Sequence, residues 1–155
     1  YIEKVRGLLI SLLFELARIT EHDGDPEVEM HGGVGQIQNA LRYVERNYSE
    51  PIRIEELAQS CSISETHFRR LFSKYISMTP IEYLHMVRIL RACEMLRSSN
   101  DSMASVAMKC GFSTVSTFDR NFKEIIGVTP YQWKKDPKNY ESKLLEVNIS
   151  VQKGW

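Results

Sequence analysis

One pattern occurs twice in this chain, about fifty residues apart, and that duplication limits the fold more than any other feature. From Ile52 the chain reads IRIEELAQSCSISETHFRRLFSKYISMTPIEYL, and from Ser102 it reads SMASVAMKCGFSTVSTFDRNFKEIIGVTPYQW. Ala58 and Cys61 return as Ala107 and Cys110. After one inserted residue, Phe68, Arg70, Phe72, Ile76, Thr79 and Pro80 return as Phe118, Arg120, Phe122, Ile126, Thr129 and Pro130. Two copies are too few for a solenoid, which needs three or more stacked repeats. The pattern therefore describes a small module, duplicated.

Within each copy the spacing predicts two helices around a tight turn. Met103, Val106 and Ala107 form the i, i+3, i+4 stripe of a short amphipathic helix. Gly111 follows Cys110 where that helix should end, since glycine takes the left-handed conformation that a chain reversal needs. Ser113 stands where its hydroxyl could cap the next helix, which carries Phe118, Phe122 and Ile125 on one face. The first copy matches it with Leu57 and Ala58, Ser64 as cap, and the stripe Phe68, Leu71, Phe72 and Tyr75. Helix, short turn and second helix make a helix-turn-helix, and a small residue at Ala58 and Ala107 lets the two helices cross closely.

The run Ala107-x-x-Cys110-Gly111-Phe112-Ser113-x-x-Ser116-x-Phe118-x-Arg120-x-Phe122-Lys123, followed by Gly127-Val128-Thr129-Pro130-Tyr131-Gln132-Trp133, resembles the DNA-binding region of the AraC/XylS family of bacterial transcription regulators. The resemblance covers residues 36–135 and includes a connector, Ile81 to Arg97, matching the family's long helix between two helix-turn-helix units. It departs from the family at Ser62 and Ser77, where the second copy has Gly111 and Gly127, and at Trp133-Lys134, where the family shows an aromatic followed by Arg. The implied fold is all-α, with two helix-turn-helix subdomains joined by a connector helix and preceded by a separate amphipathic helix. Expected boundaries are 1–20 for that helix, 21–34 for an acidic linker, 35–98 and 99–135 for the subdomains, and 136–155 for a C-terminal tail.

Charge is distributed as this reading requires. The formal net charge is zero over 155 residues. Residues 1–33 hold three Lys/Arg against seven Asp/Glu, however, while residues 34–135 hold fourteen against ten. An acidic leading segment thus conceals a basic repeated region, where local placement matters more than the total. Cys61, Cys93 and Cys110 are odd in number and lack Cys-x-x-Cys spacing, as buried free thiols of a reducing cytoplasm would. Apolar runs fall short of the roughly 20 residues that span a bilayer.

Ile2, Val5, Leu8, Leu9, Leu12, Leu13, Leu16 and Ile19 follow the i, i+3, i+4, i+7 pattern, so Tyr1 to Thr20 is expected to pack on its own chain or another. By resemblance, it is expected to be the last helix of a preceding effector-binding and dimerisation domain, making the protein a homodimer. Residues His22 to Val34 read as linker: Gly32-Gly33-Val34-Gly35 lacks the spacing and Lys-Ser/Thr of a phosphate loop, and His22 and His31 among acids need no metal. Gln36 to Tyr48 is expected to be a buttressing helix with Ile37, Ala40, Leu41 and Val44 on one face.

The resemblance implies that Thr66, Arg69 and Arg70 read bases in the first unit and Ser116, Asp119 and Arg120 in the second. Arginine pairs bidentately with guanine and threonine meets the thymine methyl, while Asp119 would accept from cytosine or orient Arg120. His67, Thr117, Lys74 and Lys123 are expected near phosphates, which position the protein without reading sequence. Reading helices fixed by the connector would enter major-groove segments about 10 bp apart. Implied partners are double-stranded DNA, RNA polymerase and a small-molecule effector held by the preceding domain, with no cofactor or membrane; the implied role is activation. The alternative is a helical protein-interaction module. An enzyme would need a converging nucleophile, base or metal set, and none stands out: His67 and His85 are isolated on helices.

Overall fold

The first copy is built on a buttress. In the computed structural model, which describes residues 33–136, α1 (Gly33–Asn47) presents Ile37, Ala40, Leu41 and Val44, each no more than 1% exposed, to both α2 (Ile54–Ser60) and α3 (Glu65–Ile76). The helix begins at Gly33, inside the stretch expected as linker. The expected amphipathic helix at 1–20, the rest of the linker and the tail beyond Asp136 lie outside the described residues. Phe68 and Phe72 face α1 and continue into Tyr83, with ring centroids 5.4 and 5.5 Å apart, at edge-on or tilted angles that aromatic quadrupoles favour. Burial holds the Tyr83 phenol well above its ordinary pKa, and Glu45 adds to the effect.

The connector α4 (Pro80–Ser98) is one helix of 19 residues, within a residue of expectation at each end. Its buried side chains are not confined to one stripe, as in a helix covered on more than one side: Tyr83, Leu84, Met86, Val87, Ile89, Ala92 and Leu96 are buried. The described residues fall into two compact units divided within α4, between Val87 and Arg88. Ile89, Ala92 and Leu96 belong to the core of the second unit, with Val106 and Ala107 of α5 (Met103–Lys109), Phe118 and Phe122 of α6 (Val115–Ile126) and Trp133 of α7 (Pro130–Lys135). Phe112, Phe118, Phe122 and Trp133 run edge to face at 5.5, 5.6 and 6.3 Å, repeating the aromatic series of the first unit. Arg88, only 8% exposed, lays its guanidinium 5.7 Å from the Phe112 ring. Among the described residues no helix is long and apolar enough to cross a membrane.

Recurrence of Thr-Pro has a local cause. Thr79 donates its N–H to Glu82 Oε2 at 2.6 Å and accepts from the Glu82 N–H at 3.3 Å; Thr129 and Gln132 do the same at 3.0 and 3.3 Å. Both are capping boxes, each with a proline at the first helical position, where no N–H is needed.

None of the three cysteines is in a disulfide. Only Cys110 is fully buried; it lies 3.8 Å from Met95 Sδ, and burial pushes its pKa up to about 11, against the pull of Arg88. Cys61 and Cys93 are half-buried rather than buried as expected.

Ser62 and Ser77 occupy the left-handed region at φ 56° and 61°, where Gly111 and Gly127 stand at 83° and 93° in the second unit. A Cβ in that region costs about 1–2 kcal/mol, partly offset by the chain entropy that glycine loses on folding. Ser77→Gly is therefore expected to stabilise the first unit by about 0.5–1 kcal/mol and raise its melting temperature by a few degrees. A fall in melting temperature would mean that the serine side chain stabilises this turn.

Candidate nucleic-acid interface

The outer helices α3 and α6 are placed by the turns that precede them. At the end of α2 the N–H of Ser62 donates to Gln59 O at 2.9 Å and that of Ile63 to Ala58 O at 3.2 Å. At the end of α5, Gly111 donates to Met108 O and Phe112 to Ala107 O, both at 3.0 Å. These paired bonds form a Schellman motif, which satisfies the last carbonyls of the first helix and turns the chain out of it. The next residue in each copy, Ile63 or Phe112, then packs inward, Phe112 only 3% exposed. The inserted residue of the second copy is Ser113. Consequently the cap of α6 is not Ser113, as expected, but Thr114, whose Oγ1 accepts the Thr117 N–H at 3.2 Å. In the first unit Ser64 caps α3 as expected, accepting the His67 N–H at 3.3 Å.

Capped in this way, each helix turns its apolar stripe inward and leaves a polar row outside. Phe68, Leu71, Phe72 and Ile76 of α3 are buried, as are Phe118, Asn121 and Phe122 of α6; Tyr75 and Ile125, expected in the stripes, are half-buried. Asn121 interrupts an otherwise apolar stripe, which it can do because its Nδ2 donates to Thr117 O at 2.8 Å. The opposite row reads Thr66, Arg70, Ser73 on α3 and Ser116, Arg120, Lys123 on α6, all exposed and at i, i+4, i+7 spacing. Among the described residues Arg70 and Arg120 make no ion pair, so both guanidinium forks are available.

Other expected contacts are more constrained. Arg69 gives Nε and Nη2 to the same oxygen of Glu65, at 2.7 and 2.6 Å, so its fork is already occupied. At the corresponding place Asp119 is exposed and makes no ion pair among the described residues, and it does not orient Arg120. Adjacent helical side chains point about 100° apart. Lys74 is exposed, with Nζ 5.1 Å from the Tyr75 ring centre; its partner in the repeat is Glu124, while Lys123 corresponds to Ser73. His67 is half-buried, and the Thr117 hydroxyl accepts from Thr114 Oγ1 at 2.9 Å.

The two helices differ in charge. On α3, Arg69, Arg70 and Lys74 outnumber Glu65, whereas on α6 Arg120 and Lys123 are balanced by Asp119 and Glu124. Of the nearby lysines, Lys109 pairs with Asp101 Oδ2, while Lys134 donates to the uncharged Asp101 O, both at 2.9 Å. Lys109 and Ser99 hold the Asp101 carboxyl below its usual range. A groove of about 310 Å³ opens beside α6, lined among others by Asp119, Arg120, Lys123 and Tyr131. Tyr131, 70% exposed, is a surface residue that the reading of the repeat did not single out. Among the described residues no group of His, Cys, Asp and Glu is gathered to hold a metal.

Two capped helices with exposed arginines at matching positions, each set by a Schellman turn, make a pair of helix-turn-helix units. A family model described as a helix-turn-helix domain matches residues 57–136. The transcriptional regulator GbdR of Pseudomonas aeruginosa is 30% identical over 125 residues, which are 78% of this chain and 34% of that protein. An AraC-type regulator structure from Chromobacterium violaceum superposes with a TM-score of 0.64 at 24% identity, covering 67% of this chain and 93% of the other. The DNA-binding domain of AdpA, a global transcriptional factor solved with a target DNA, gives 0.61 at 24%, covering 64% and 90%; at such identities both likenesses are of fold. The chain belongs to the AraC family of helix-turn-helix regulators and carries its DNA-binding region. It spans about a third of the length of the curated relatives that it matches.

Proposed function

We propose that this chain is the promoter-reading part of a bacterial transcription activator, with α3 and α6 each lying in a major-groove segment. Thr66 and Arg70 read bases in one block and Ser116, Asp119 and Arg120 in the other. Lys74 and Lys123 hold phosphates, with His67 and Thr117 at the edge of the interface. Arg69 reads a base only by leaving Glu65, an exchange that costs little because exposed pairs contribute about 0–1 kcal/mol. The observation that carries the proposal is the matched pair of exposed, unpaired arginines, Arg70 and Arg120, on the outer rows of two helices held by the same turn. RNA polymerase as partner, dimerisation through residues 1–20, an effector held by a preceding domain and action in the cytoplasm belong to the same proposal, and rest on family membership.

Selection of bound duplexes from a random-sequence pool tests it. Two separated blocks should be enriched, and affinity for the selected site should fall steeply with salt, roughly 10³-fold between 50 and 200 mM for about six phosphate contacts, as counterions are released. No enrichment at low salt, with binding of a protein partner that salt leaves unchanged, would assign these faces to protein recognition instead.

A further inference from the structure

We infer that the groove beside α6 in the second unit seats a DNA phosphodiester, and that the Tyr131 hydroxyl donates to it. The inference rests on the DNA-binding reading above and adds a contact on a different element, α7. Tyr131 shares the groove of about 310 Å³ with Arg120 and Lys123, so a strand held by these two bases passes within reach of the phenol. At 70% exposed, Tyr131 is the most exposed of the large apolar side chains among the described residues, and its hydroxyl has no hydrogen bond among them. A ring and a donor left in water beside two cations suit the phosphate and sugar of a backbone, to which tyrosine is a common donor.

Charge explains why this unit would need it. Asp119 lines the same groove and Glu124 lies on the same helix, so together they balance Arg120 and Lys123 and α6 approaches the DNA with no net charge of its own. A neutral donor adds affinity without another cation. In the first unit the corresponding residue is Ile81, 39% exposed and without a donor, beside a helix that already has a net positive charge. The two units thus reach the backbone by different means.

The test uses the full chain with a duplex bearing the selected site and a scrambled duplex of equal length, comparing wild type, Tyr131→Phe, Tyr131→Ala and Lys123→Ala. Tyr131→Phe keeps the ring and removes one oxygen; it should weaken both duplexes equally, by about two- to tenfold, as loss of one hydrogen bond would. Tyr131→Ala should weaken both at least as much. Neither change should alter the ratio between the duplexes or the salt slope, because no charge is lost, whereas Lys123→Ala should flatten that slope by about one. Wild-type affinity in Tyr131→Phe and Tyr131→Ala, with Lys123→Ala weakened, overturns the tyrosine contact and leaves the DNA reading intact. A changed ratio in Tyr131→Phe also overturns it, since the hydroxyl would then read a base. Failure of the wild type to bind either duplex overturns both readings.

Discussion

Replacing Arg70 and Arg120 together by alanine is expected to remove sequence-specific binding while leaving the fold intact. Both side chains are exposed and make no ion pair among the described residues, so neither contributes to packing that alanine would undo. A bidentate arginine–guanine contact discriminates by about 1–3 kcal/mol. If the two sites are independent, their losses add to about 2–6 kcal/mol, or roughly 30-fold to 10⁴-fold in affinity for the selected site. Binding to scrambled duplex should fall much less, because Lys74 and Lys123 still meet phosphates. Fluorescence anisotropy with both duplexes measures the difference, and an unchanged circular dichroism melt shows that folding is retained. A loss below about threefold on the selected site would reduce both arginines to solvated surface charges, worth little wherever they stand. The single variants carry a further expectation. Arg120→Ala should be the more damaging to its own block, because α6 has fewer cations to keep the helix on the DNA than α3.

The second large effect is structural. Phe118→Ala is expected to destabilise the second unit by about 3–5 kcal/mol, since the ring is fully buried and touches both Phe112 and Phe122. Whole domains are stable by only about 5–15 kcal/mol, so such a loss consumes much of what holds α6 in place. Denaturant unfolding should show the midpoint of this unit falling, and selection with the variant should return the block read by the first unit alone. Phe118→Leu, which keeps most of the volume, should cost much less. A loss under about 1 kcal/mol for Phe118→Ala would mean that the Phe112–Phe122 neighbourhood collapses around the cavity.

How much could be read in advance divides by the range of the interaction. The stripes Phe68–Phe72 and Phe118–Phe122 and the turn at Gly111 were legible because helical periodicity and left-handed backbone are properties of a few adjacent residues. Ser64 as cap was legible for the same reason, whereas Thr114 was missed: with one residue inserted, Ser113 and Thr114 are equally good hydroxyls, and only the Schellman turn, with Phe112 drawn into the core, decides between them. Thr-Pro was seen to recur, and its spacing to Glu82 and Gln132 carried the capping-box signal that explains it. Pairing of Arg69 with Glu65 was also within reach of an i, i+4 reading. Tyr131 stands in the run that carries the family resemblance, yet nothing in the local pattern gave it a contact.

By itself, then, the sequence determined two helix-turn-helix units, their connector and the outward position of Arg70 and Arg120, because repetition, turn chemistry and helical period act over one or two turns of chain. Only the tertiary structure decided how α4 divides between two cores, which side chain caps α6, and that Tyr131 of α7 shares a groove with Arg120 and Lys123 of α6. These depend on which surfaces meet when separate elements pack, and that is settled by volume and contact between residues far apart in the chain.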